Sequence, residues 1–139
     1  MMEEIPATSF SFEYTFTVLP SHLDEQQHVN NVVYVQFMQE AAAKHWAANN
    51  NDAFKEEINW VVKRHEIDYH FPAFLNDSLL MRTWTGKLSA VTWERHYEII
   101  RPADQKKIIT AKSVWVLLNK QTGKPRRIDA SIIRIFSQR

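Results

Sequence analysis

The chain has 139 residues, enough for one domain with a real core and too few for two comfortable ones. Hydrophobic residues make up 45%, and 17 Lys and Arg stand against 16 Asp and Glu, so a net charge of +1 offers no electrostatic footprint for nucleic acid or an anionic membrane. Cysteine is absent, which excludes disulfides, thiolate metal sites and cysteine nucleophiles; only Gly86 and Gly123 occur, which excludes a Gly-rich phosphate loop.

Met1 to Ser9 begins with acidic residues and has no basic start followed by an apolar run, so no signal peptide is expected. No apolar stretch reaches the length of a membrane span. A cytoplasmic protein is the expectation. Phe10 to Leu19 alternates, with Phe10, Phe12, Tyr14, Phe16 and Val18 on one side, and reads as a half-buried strand ended by Pro20. A polar loop, His22 to His28, follows. A helix capped by Asn30 or Asn31 then runs to about Ala48, with Val33, Tyr34, Phe37, Met38, Ala41, Ala42, His45 and Trp46 spaced by three and four. The Asn49-Asn50-Asn51-Asp52 run breaks it, and a short turn is expected around Asp52 to Glu57.

The remainder is strand-rich. Strands are expected over Trp60 to Phe71, Asp77 to Leu88, Val91 to Arg101 and Lys107 to Asn119, separated by short turn-forming segments that imply mostly antiparallel neighbours. Propensity leaves Asp129 to Arg139 open between an amphipathic helix and a short strand. One strand, one helix and four strands predict an α+β fold in which an antiparallel sheet curls round a single helix. The whole chain, residues 1–139, is then one domain with its core at about 10–130. Such a sheet has edge strands and an apolar strip, and pairing of two copies, as a homodimer or homotetramer, is a common way to cover them.

The loop and helix start read Asp24-Glu25-Gln26-Gln27-His28-Val29-Asn30-Asn31-Val32-Val33-Tyr34. This Asp, three residues, His-Val-Asn-Asn, two residues, Tyr pattern resembles the signature of the hot-dog fold thioesterases. It is nearest to the acyl-carrier-protein branch and the related bacterial acyl-CoA enzymes, in which Gly commonly stands where this chain has Gln27. Val61 to Tyr69, Arg82-Thr83-Trp84 and Ala111 to Arg127 extend the likeness over about residues 12 to 130. Two positions depart from the acyl-carrier-protein pattern. Gln26 stands where those enzymes have Asn, and Ala73-Phe74 falls where they carry Glu-Cys.

The resemblance implies an acyl-CoA or acyl-carrier-protein substrate, a homo-oligomer with the site at its interface, and no cofactor. Asp24 is the candidate general base or nucleophile. Backbone N–H groups of the first helical turn are the candidate oxyanion donors. His28 and Asn30 complete the candidate catalytic set. Gln26, Asn31, Tyr34 and Arg64 are candidate substrate contacts. Phe37, Trp46, Trp60, Phe71 and Phe74 are further candidates to line an acyl tunnel, and Lys63, Arg82, Lys87, Arg126 and Arg127 to meet phosphate.

A metal reading would use His22, His28 and Asp24, with His65, His70 and His96 elsewhere, but no partners are obvious for the strand histidines and no metal is expected. A dehydratase or hydratase would need an acid and a His converging on the helix. Glu40 and His45 lie roughly 140° apart round it. A non-catalytic acyl-CoA binder would keep a pocket without needing Asp24.

Overall fold

The computed structural model describes residues 4–6, 9–49, 54 and 56–137. The elements run β1 (Ser11–Thr17), a 3-10 turn (Pro20–His22), α1 (Asn31–Asn49), β2 (Ile58–Tyr69), β3 (Ser78–Leu88), β4 (Thr92–Arg101), β5 (Lys106–Asn119) and α2 (Ala130–Ser137). The strands form one antiparallel sheet in the order β1-β3-β4-β5-β2. This is the α+β fold expected, a sheet packed round one long helix.

The period-two pattern of β1 works as its sequence implies. Phe12, Tyr14 and Phe16 turn toward the helix while Glu13 and Thr15 face solvent. Tyr34, Phe37, Met38 and Ala41 of α1 meet Leu79, Met81, Tyr97, Ile99 and Ile109 of the sheet in the main core. A second apolar cluster, Trp93, Leu117, Ile132 and Phe136 with Trp46 and Trp60 beside it, fills the space under the far half of α1.

Two expectations are adjusted. β2 stops at Tyr69, not Phe71, because the amides of His70 and Phe71 both turn onto the carbonyl of Ile108 and Pro72 has none to offer. The last segment is a helix: the Asp129 carboxylate accepts from the Ser131 and Ile132 amides, capping its first turn. Of the turn expected at 52–57, residues 52, 53 and 55 lie outside the described residues, as do 50 and 51 of the breaker run and 138–139 at the end; Phe54 accepts from the amides of Glu57 and Ile58.

β2 carries one surplus residue. Val62 pairs with Trp115 and Arg64 with Val114, so Lys63 is a bulge. Val62 lies opposite Trp115 on the helix side; beyond the bulge His65, Ile67 and Tyr69 lie opposite Ser113, Ala111 and Ile109 and return to that side.

Candidate active site

The loop entering α1 is a miniature hairpin. Leu23 bridges Val29, and the Asp24 amide donates to the His28 carbonyl at 2.8 Å. Closing it over three residues puts Gln27 at φ +65°, the left-handed region that glycine adopts most easily. The half-buried Asp24 organises this loop. Its Oδ1 accepts from the Gln26 amide (2.9 Å) and the His28 amide (3.2 Å). Its Oδ2 has no partner among the described residues, so one oxygen holds the loop and the other stays open.

Asn30 follows at the N-cap. Its Oδ1 accepts from the Val32 amide at 3.0 Å, its carbonyl from the Val33 amide, and its own amide donates to the His22 carbonyl. Among the described residues the Asn31 amide has no acceptor. That leaves one open donor at the positive end of a 19-residue helix, beside the Asp24 loop.

Asp24, Gln26, His28, Asn30, Asn31 and Tyr34 all border one crevice of about 380 Å³, closed on its other side by Tyr69, His70, Phe71 and Pro72. The Tyr69 hydroxyl donates to the Asn31 carbonyl at 3.3 Å, tying the end of β2 to the helix tip. Tyr34 is buried with its hydroxyl hydrogen-bonded by the Ala73 backbone, and burial pushes that hydroxyl up to about 12. The His28 ring stands edge-on to Phe74, 5.2 Å between centroids. Phe74 is held in turn: Asp77 accepts from its amide, and Arg101 donates to Asp77 at 2.8 Å and to the Pro72 carbonyl at 3.0 Å.

Arg64, expected to contact substrate, is not brought into the crevice. It sits just past the Lys63 bulge on an edge strand, exposed and paired with Glu66 at 2.5 Å. The other basic candidates are also scattered. Arg82 is buried on the outer sheet face against Glu98 (2.7 Å), which Lys107 also meets (3.0 Å). Arg126 lies near Glu57 and Asp129, and Lys63, Lys87 and Arg127 are exposed. Of the aromatic candidates only Tyr34 and Phe71 border the crevice; Phe37 is core, and Trp46 and Trp60 line a separate cavity.

The remaining histidines have other occupations. His22 Nδ1 accepts from the Leu19 amide, His65 meets Ser113, His70 meets Thr110 and His96 stacks on Trp84. Glu40 is exposed while His45 is buried, so they do not meet. Tyr69 and Pro72 are crevice residues that motif reasoning passed over. Their signal was positional: an aromatic closing a long strand just before a proline turn.

A sheet packed round one long helix is the hot-dog fold that the sequence led one to expect. The family model described as the thioesterase-like superfamily matches residues 18–136, and the chain belongs to that family. Membership makes thioester hydrolysis its chemistry. The chain is 28% identical over 116 residues to the long-chain acyl-CoA thioesterase FadM of Escherichia coli (strain K12), covering 80% of this chain and 86% of that protein. YbaW, a probable thioesterase from Escherichia coli, superposes with a TM-score of 0.75 at 26% identity over 88% of this chain and 94% of that one. The 1,4-dihydroxy-2-naphthoyl-CoA thioesterase Slr0204 from Synechocystis shares the fold, with a TM-score of 0.80 at 18% identity over 92% and 96%.

Proposed function

We propose that this protein is an acyl-CoA thioesterase in which Asp24 activates the attacking water and the amide at the tip of α1 receives the oxyanion. The observation that carries this reading is that the free Oδ2 of Asp24 and the open Asn31 N–H belong to residues bordering one crevice. Asp24 takes a proton from water, the oxygen adds to the thioester carbon, and the charge developing on the carbonyl oxygen meets the Asn31 amide. Collapse breaks the C–S bond, and the proton held by Asp24 passes to the sulfur, with His28 on the crevice wall to orient water or leaving group. Asn30 acts by capping, which keeps the donor end of the helix in place. Likeness to an acyl-CoA enzyme favours coenzyme A over a carrier protein as the thiol.

The same proposal includes a homo-oligomer. Val32, Tyr69, Phe71, Phe74 and Leu75 form an exposed apolar rim near the crevice, and β2 is a sheet edge twelve residues long. A copy paired along β2 would cover such an edge and bring exposed Arg64 beside its neighbour, the one route by which it reaches a ligand.

The test is thiol release from a panel of acyl-CoAs and acyl carrier proteins, with wild type beside Asp24→Asn and Asp24→Ala, and with molar mass measured by sedimentation. Release that both folded variants lose supports the reading. A folded Asp24→Asn protein turning over at the wild-type rate sinks it, and a strictly monomeric active enzyme sinks the oligomer.

A further inference from the structure

The far half of α1 covers a second cavity, of about 250 Å³, in which Trp46, Trp60, Trp93, Trp115 and Phe136 stand round Arg95. Arg95 is only 5% exposed. It lies in the series Trp93, Arg95, Tyr97, Ile99 on the helix side of β4, where every other side chain is apolar or aromatic. Its acceptors are both neutral: Nη1 donates to His45 Nδ1 at 3.0 Å and to Thr83 Oγ1 at 3.0 Å. Burial, with the Arg95 charge beside it, holds His45 down at about 3, so its ring is uncharged at neutral pH. Burial also lowers Arg95, to about 10, which leaves the guanidinium cationic there.

No carboxylate of a described residue pairs with Arg95, and its Nε and Nη2 have no acceptor among those residues. Glu94 also borders the cavity, but its carboxylate lies toward Lys112, at 3.9 Å. The indole Nε1 of Trp60, another wall residue, is a second buried donor without a partner. A buried cation normally brings its counter-charge with it, because an unpaired one is costly. Here the space beside it is walled mainly by aromatic rings, with Gln39, Asn59 and Thr85 as neutral polar groups on it, and is open to a guest.

We infer that this cavity is a binding site for a carboxylate carried on an apolar body, the acid paired with Arg95 and the body packed among the tryptophans. The pairing is the planar fork geometry in which guanidinium excels. Two sources share this chemistry: a free organic acid, or the far end of an acyl chain that itself ends in a carboxylate. The inference does not rest on the hydrolase reading, since binding is measurable without turnover.

Octanoate and octan-1-ol, equal in chain length, are titrated into the full chain while intrinsic fluorescence is followed; four of the five tryptophans line the cavity. Octanoate is expected to bind at least about tenfold more tightly, roughly 1.4 kcal/mol. Arg95→Gln is expected to bring the ratio near one, and Ala42→Leu, which narrows the cavity and leaves Arg95 in place, to weaken both ligands. Equal affinity for acid and alcohol in the wild type overturns the inference. So does a ratio unchanged in folded Arg95→Gln, or octanoate affinity untouched by Ala42→Leu, which decides the matter if Arg95→Gln does not fold. Acyl-CoAs of equal length ending in carboxylate or methyl then separate the sources. A kcat/KM preference for the carboxylate that Arg95→Gln abolishes assigns the guest to the substrate's tail; no preference, with octanoate still bound, assigns a free acid.

Discussion

The two ends of α1 present opposite kinds of hollow. At its start the crevice is polar, walled by loop side chains, and one oxygen of its Asp24 carboxylate is fixed by two backbone amides while the other has no partner among the described residues. Toward its end the cavity is aromatic, its charge is carried by one arginine deep in the sheet, and its walls belong to the second core cluster. The helix tip supplies oriented dipoles at no cost in buried charge, whereas the far end has to hold a full charge in an apolar setting. Chemistry suits the first environment and recognition the second.

The sharpest way to break this contrast is at Asp24. Asp24→Asn keeps an acceptor for the two loop amides, so the fold is expected to hold while kcat falls about 10²–10⁴-fold. Octanoate binding at Arg95 should be unchanged, and a variant that loses both functions would show that the hollows are one. Met38, fully buried between them, should couple both to the core. Met38→Ala is expected to cost about 2–5 kcal/mol in denaturant unfolding and to lower both readouts as the fold loosens.

Acid should strike the far end. His45 is held near 3 in the folded protein and returns to about 6.5 when unfolded, so its contribution is present above pH 6.5 and fades as pH falls. Between pH 7 and 5 the loss is expected to be about 2 kcal/mol, and a His45→Gln protein should show a flatter stability profile over that range. At the near end, Asn30→Ala should remove the cap and cost about 1 kcal/mol, read as a lower melting temperature. The smallest change runs the other way. Gln27→Gly should relieve the left-handed backbone and stabilise by about 0.5–1 kcal/mol, without altering kcat.

Much of the fold was legible in the sequence because its signals are local. The alternation Phe12, Tyr14, Phe16 marks β1, the spacing of Tyr34, Phe37, Met38 and Ala41 marks α1, and the short turns separate the strands. Strand order was not legible, since pairing β5 between β4 and β2 depends on contacts across fifty residues of chain. The loop motif named the residues that border the crevice, but not the division of labour within Asp24, one oxygen structural and one free. Arg95 was passed over, and Arg64 expected at the site in its place, for a shared reason: charges on strands look alike until the pleat is phased. Counting by twos from Trp93 through Arg95 to Tyr97 and Ile99 would have put Arg95 inside.

The bulge at Lys63 has a consequence of its own. Had β2 kept an unbroken alternation from Trp60 and Val62, position 69 would point to the outer surface, and the Asn31 carbonyl would lose the phenol that fastens it. The wall of the crevice opposite Asp24 thus depends on chain parity: the bulge absorbs one surplus link, so the strand's closing segment keeps its face. Deleting Lys63 would leave a regular strand with Arg64 outward and Tyr69 still on the crevice side, whereas forcing that link into the ladder would turn the wall away.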